Sequence, residues 1–371
     1  MAGIFEYLKW RGDLTFRQDP VNEVDALIFS ALAYVRYGDG EQLLTGDTGT
    51  LTEIADAFFS LPDCEERTML KNDLELLLSA AETTRFGRAK LCMYRDLLIP
   101  EQETQFAAVT FLLDDGSAFL AFRGTDHTLV GWKEDFNMTF QQTVPSQRLA
   151  LQYTREAAME LPGPLYLGGH SKGGNMAVFA AARSSPMVQE RIVRVYNNDG
   201  PGFTQYMMGD PGYLTMVPKI RTYIPQSSVI GMLLEHEEAY TVIRSKTVGL
   251  LQHDPYSWVV EGKQFLPVQE ITDSSQFVDA TIKSWFADMT NQERNQLVDV
   301  MFALLGTGGV DSAIEIFHPR NIRNYLRTLS SDANMRRVLS SEFQGLIEAA
   351  KRTRTKFGEQ KLLEEETGTE S

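Results

Sequence analysis

A serine stands between glycines at Gly169-His170-Ser171-Lys172-Gly173, where the apolar run 165–168 gives way to a small-residue helical face, "GNMAVFAAARS". The G-x-S-x-G spacing is that of a nucleophile elbow. A sharp strand-to-helix turn lifts the hydroxyl clear of the sheet, and side chains in place of the glycines would strike the adjoining strand and helix. The competing reading is packing alone, with small residues letting a helix lie close on a sheet. A nucleophilic serine needs a base, and the chain has only five histidines: 127, 170, 236, 253 and 318. With this elbow the triad runs Ser, acid, His along the chain, which leaves the last three. His236 stands among glutamates in a helical pattern and reads as a solvated helix residue. His318 precedes Pro319 and reads as the end of a helix. His253, in "LLQHDPYSW", occupies a turn after the last strand-like run, from which a loop reaches back toward the serine. The alternative for it is a loop histidine bonded to its own turn.

The acid has to orient the imidazole and stabilise its charged form. Asp199 ends the strand-like "VRVYNND" before Gly200-Pro201-Gly202, on the rim expected for Ser171. Asp254 is a rival, but neighbours on an extended loop point apart, and Asp210 reads as a turn residue. For the oxyanion, one donor is the backbone N–H of Lys172. The second comes from the loop Arg123-Gly124-Thr125, where Thr125 offers its N–H and hydroxyl. Losing one such donor typically costs about 2.7–4 kcal/mol of transition-state stabilisation.

These residues need a frame. Helical patterns precede residue 89, among them "VNEVDALIFSALAYVRY" after Asp19-Pro20, then "LTEIADAFFSL" and "MLKNDLELLLSAAETT". "FAAVTFLL" and "SAFLAF" flank Asp114-Asp115-Gly116, a hairpin signal. Strands and helices then alternate to about residue 260. That alternation predicts an α/β fold, a mostly parallel sheet with helices on both faces and sites at the C-terminal ends of the strands. From about 270 the pattern is helical only, and Gly306-Thr307-Gly308-Gly309 interrupts it. The expected organisation is a catalytic α/β domain over 1–269, a helical C-terminal module over 270–357 and a disordered acidic tail over 358–371.

The chain has 371 residues and a net charge of −15, which argues against a nucleic-acid partner, since phosphate contacts need a basic patch. Its 43% hydrophobic residues suffice for a full core. Cys64 and Cys92 make neither a disulfide framework nor a metal cluster. Glu6, Lys9, Arg11 and Asp13 interrupt any apolar leader, and no run is long enough to span a bilayer. The expectation is a cytoplasmic chain with no transmembrane segment, able at most to touch a membrane surface transiently. No cofactor and no metal are expected. The oligomeric state is open.

With these residues in hand, the chain resembles the lipase-like α/β-hydrolases, and in particular a little-characterised bacterial family related to class 3 lipases. "AFRGT" (121–125) and "WKEDF" (132–136) resemble the strand, oxyanion loop and Trp-x-x-Asp segment of those lipases. "GGHSKGGNMA" (168–177) resembles their elbow. "YNNDGPGF" (196–203), "IPQSSVIGMLLEH" (224–236) and "QHDPYSW" (252–258) resemble motifs of the bacterial family. The resemblance covers roughly 20–265. It implies Ser171 as nucleophile, His253 as base, Thr125 and Lys172 as oxyanion donors, and a carboxylic ester, an acyl lipid or small acyl ester, as substrate. Class 3 lipases place the acid where Ser227-Ser228 stands here. "NNDGPGF" instead resembles the pancreatic-type lipases, whose acid follows an earlier strand, so Asp199 is the choice. Arg123 and Asp135 read as an ion pair bracing the oxyanion loop. The segment 129–144 reads either as a lid or as a buried helix face. Two other functions remain open: a non-catalytic lipid- or partner-binding relative, and a thioesterase or peptidase with the same triad.

Overall fold

The computed structural model describes residues 1–126, 128–307 and 319–367, so His127 and His318 lie outside the described residues. Eight strands form one sheet: β1 (Thr48–Thr50), β2 (Lys90–Ile99), β3 (Thr104–Leu112), β4 (Ala118–Phe122), β5 (Leu165–His170), β6 (Ile192–Asn198), β7 (Ile220–Pro225) and β8 (Tyr240–Ile243). They lie side by side in chain order. β1 to β4 pair antiparallel. β4 to β8 pair parallel, and each parallel neighbour needs a crossover connection. The expected alternation therefore holds for the second half of the sheet. The hairpin expected at Asp114-Asp115-Gly116 joins β3 to β4, with Gly116 at φ +89°.

Side chains alternate across the strands, so each face buries its own core. Phe119 and Ala121 of β4 join one cluster, and Ala118, Leu120 and Phe122 join the other. The first face is covered by α1 (Glu23–Leu32), buried at every position after Glu23. Asn22 caps it, accepting from the N–H groups of Val24 and Asp25, while Asp25 accepts back from Asn22. Phe29 of α1 meets Phe119 with ring centroids 4.8 Å apart. The second face carries α3 (Pro145–Glu160) and α4 (Lys172–Arg183), which bury Tyr153, Ala157, Met176 and Val178 against it. Between β4 and α3 runs α2 (Leu129–Met138).

The N-terminal arm is tied down by a fully buried ion pair, Arg85 Nη2 to Asp25 Oδ2 at 2.5 Å, with Tyr7 donating to the same carboxylate. Removing one partner of such a pair costs about 3–5 kcal/mol, because the other charge stays buried.

Beyond Thr272 the described residues form four helices: α5 (Asp273–Ala287), α6 (Asn291–Gly306), α7 (Pro319–Ser331) and α8 (Ala333–Thr367). α5 and α8 meet through Phe277 and Phe357, ring centroids 5.9 Å apart. α6 lies on α2. Phe140, Val298 and Phe302 form a small buried cluster there, with Leu129 and Phe136 packed against it, and Lys133 reaches Asp299 at 2.8 Å. The helical face in 129–144 is therefore covered by α6. α8 continues through Thr367, into the stretch expected to be disordered, while 368–371 lie outside the described residues. Lys, Leu and Glu are good helix formers, and extending an existing helix avoids the cost of nucleation.

Candidate active site

The serine turn is built by β5, β6 and α4. Ser171 follows β5 directly and adopts φ +59°, ψ −134°, a conformation that costs a residue with a side chain about 1–3 kcal/mol. Neighbouring backbone packs closely around the turn. A Cβ on Gly169 would lie 2.2 Å from the carbonyl carbon of Gly173, and one on Gly173 would lie 2.1 Å from the Phe122 oxygen. The Ser171 N–H donates to the Asn198 carbonyl at 3.0 Å. Since His170 and Asn198 are register partners, Ser171 and Asp199 leave the same edge of the sheet side by side.

Asp199 is fully buried at φ +55°, a region that Asp tolerates better than most residues. Its N–H donates to the Tyr223 carbonyl. Its Oδ2 lies 2.7 Å from His253 Nδ1, and its Oδ1 accepts from Ser228 Oγ at 2.5 Å. With both oxygens accepting, the imidazole hydrogen sits on Nδ1, and Nε2 keeps its lone pair. Asp254 does not compete: it accepts from Tyr256 N–H in its own turn. Asp210 caps the helix Pro211–Met216.

The loop that carries His253 is anchored on several sides. Tyr256 donates to Asp73 at 2.6 Å, Trp258 Nε1 to the Gln252 carbonyl, and Ser227 N–H to Gln252 Oε1. His170 adds a further hold. One ring nitrogen, Nε2, is 2.7 Å from the His253 carbonyl, the other is 2.9 Å from the Tyr34 hydroxyl, and the two imidazoles lie 4.5 Å apart. Burial, with the neighbouring His253, holds His170 well below the ordinary histidine range, so its ring is neutral.

Lys172 is the first residue of α4, so its N–H has no carbonyl four residues back to bond and is free to face a developing oxyanion. Its side chain is buried and bonds Gln105 Oε1 at 2.7 Å and Glu134 Oε2 at 3.1 Å. Thr125 Oγ1 donates to Asp135 Oδ2 at 2.5 Å. That commits the hydroxyl hydrogen to Asp135. The expected Arg123–Asp135 pair does not form. Arg123 turns to Asp96 of β2 at 2.8 Å and to Asp126 at 3.8 Å, because the Arg123 N–H extends the β3–β4 ladder to Ala107 and fixes which way its side chain leaves.

His236 is not in a helix either. Gly202, Phe203, Leu233 and Glu235 exchange backbone hydrogen bonds that hold this segment extended, with Leu234 at φ +68°. The imidazole is enclosed, bonding the Gly231 carbonyl and Glu238. The sequence reading missed Tyr34, His170 as a support, Ser228, Gln105 and Glu134. Only Ser228 carried a signal, since it stands where class 3 lipases keep their acid.

A family model described as Mbeg1-like matches residues 80–303. The chain belongs to the Mbeg1-like family. All five candidate residues, Thr125, Ser171, Lys172, Asp199 and His253, fall inside the Mbeg1-like match. No curated protein sequence matches the chain. Among solved structures it is similar to lipase II from Rhizopus niveus, at 15% identity, covering 38% of this chain and 62% of that one, with a TM-score of 0.30. It is also similar to the Rhizomucor miehei lipase in its propeptide complex, at 14% identity, covering 59% and 66%, with a TM-score of 0.32. The Mbeg1-like chain thus spans less than two thirds of either lipase's length. Its fold is α/β-hydrolase-like, from its own sheet order and elbow. Among the described residues no group of side chains suits a metal ion, and no helix is long and apolar enough to cross a membrane.

Proposed function

We propose that the chain is a serine hydrolase of carboxylic esters, with Ser171 as nucleophile, His253 as base and Asp199 as the acid that orients it. The observation carrying this reading is the 2.7 Å contact of His253 with a buried Asp199, on the rim that also carries the strained Ser171 turn. Ser171 Oγ attacks the ester carbonyl as His253 Nε2 takes its proton. The N–H groups of Thr125 and Lys172 receive the oxyanion. Collapse expels the alcohol, protonated by His253, and water releases the acyl group by the same steps in reverse.

Acyl substrates are supported by a cavity of about 430 Å³ whose apolar walls are Phe140, Phe203, Leu233, Leu234, Ile282 and Phe286, with Glu235, Lys283 and Arg294 also at its edge. Transient contact with a lipid surface is supported by Val248, Leu250 and Leu251, 78%, 68% and 68% exposed on the turn that leads to His253. On this reading 1–269 form the hydrolase domain, and 270–357 a helical module that covers α2. Both cysteines are free, which is in keeping with a cytoplasmic setting.

Labelling by a fluorophosphonate tests the triad. Wild type should label, Ser171→Ala should not, and Asp199→Asn should turn over ester about 10⁴-fold more slowly. Ordinary ester turnover by Ser171→Ala would sink the proposal. A panel of oxygen esters, thioesters and peptides then fixes the bond cleaved. For the surface contact, Leu250→Ser/Leu251→Ser should lose turnover of an emulsified ester and keep that of a dissolved one. Equal loss on both would place these leucines in the substrate site instead.

A further inference from the structure

We propose that Tyr34 and His170 form a positioning pair for the base, an inference that rests on Ser171, His253 and Asp199 being the reacting triad. A carbonyl oxygen can only accept, so the 2.7 Å contact between His170 Nε2 and the His253 carbonyl puts the His170 hydrogen on Nε2. Its Nδ1 must then accept, and among the described residues the group bonded to it is the Tyr34 hydroxyl, at 2.9 Å. Tyr34 therefore fixes the tautomer that lets His170 hold the His253 backbone. Burial raises Tyr34 far above its ordinary range, so the hydroxyl keeps its hydrogen.

The same hydroxyl lies against the Gly124 backbone. A Cβ at Gly124 would lie 2.1 Å from it, so only glycine lets the oxyanion loop approach this closely. One phenol thus touches the loop before Thr125 and, through His170, the base. His170 does further work through its ring. It lies face-near to His253, 4.5 Å between centroids and tilted by 36°. His253 becomes a cation when it takes the serine proton. A second cation at that distance would oppose this, whereas a neutral imidazole does not. The charged groups near Tyr34 are Asp73, Arg123 and Asp135, and the other ring beside His170 is that of Trp258, at 6.2 Å. Tyr34 follows α1, well before the stretch that the family model matches, so the N-terminal arm reaches into the site.

The test uses the full chain as wild type, Ser171→Ala, Tyr34→Phe, His170→Phe and His170→Gln, all checked by thermal melting. The fluorophosphonate inactivation rate should fall about 10- to 100-fold in His170→Phe and about tenfold in Tyr34→Phe, with the half-saturating concentration unchanged. His170→Gln, which keeps a donor and an acceptor, should recover part of the loss. Nitrogen-15 NMR of the Ser171→Ala protein should find His170 neutral with hydrogen on Nε2, and a mixed tautomer once Tyr34→Phe is added. Wild-type inactivation rates in folded His170→Phe and Tyr34→Phe would overturn the pair, as would a cationic or Nδ1–H His170. If His170→Phe does not fold, Tyr34→Phe and His170→Gln carry the test alone. Failure of wild type to label would overturn the triad reading and the pair's role with it, whereas labelling lost only in Ser171→Ala would leave the triad standing and the pair refuted.

Discussion

Asp73 illustrates how much a single buried carboxylate can do at a distance from the chemistry. It is fully buried and accepts from Tyr256 Oη at 2.6 Å and from the N–H groups of Met69 and Leu70. Those bonds favour the charged form, yet burial outweighs them and pushes the group up to about 6. In the unfolded chain it would titrate near 3.9. Since the folded value is the higher one, its stabilising contribution is fully present below about pH 4. It is lost as pH rises through about 6. Asp73→Asn should remove that component, flattening the stability-versus-pH curve between these limits by about 2–3 kcal/mol in denaturant titrations. An unchanged slope would mean that Asp73 keeps an ordinary value. Because Tyr256 sits three residues after His253, the same variant reports on how firmly the His253 loop is held.

For elements, the tightest constraint is the turn between β5 and α4. The carbonyl that a Gly173 methyl would strike, that of Phe122, ends a strand paired on both sides, so it cannot retreat. Gly173→Ala should therefore lose about 3 kcal/mol or more in chemical denaturation. Gly262→Ala is the control. It also changes a glycine, at φ +62°, but the added methyl meets nothing within 4 Å. Only backbone strain of about 1 kcal/mol is expected there. Equal losses at the two positions would show that contact with β4 is not what demands glycine at 173.

Across the whole molecule, the question is whether the helices after Thr272 and the sheet open together. Their contact with α2 is small: the cluster around Phe140, Val298 and Phe302, plus the exposed pairing of Lys133 with Asp299. Such exposed pairs contribute about 0–1 kcal/mol, so the apolar cluster dominates. Phe302→Asp should speed amide hydrogen exchange in α6 and α2 while leaving β5 protected. A parallel rise in β5 would mean that helices and sheet form one cooperative unit.

By itself the sequence determined the local features. Period-2 and period-3.6 patterns marked α1, the β3–β4 hairpin, β5 and α4, because each depends on residues a few positions apart. G-x-S-x-G marked the turn for the same reason, and five histidines left few choices of base. Register and loop paths decided the rest. Arg123 chose Asp96 over the nearer-in-sequence Asp135 because strand pairing sets the direction of its side chain. His236 left its helical pattern because 202–203 offered extended backbone partners. Tyr34 reaches His170 across 136 positions, and Asp73 reaches Tyr256 across 183. No periodicity encodes contacts at such separations: they exist only once the sheet has brought the ends of its strands to one edge.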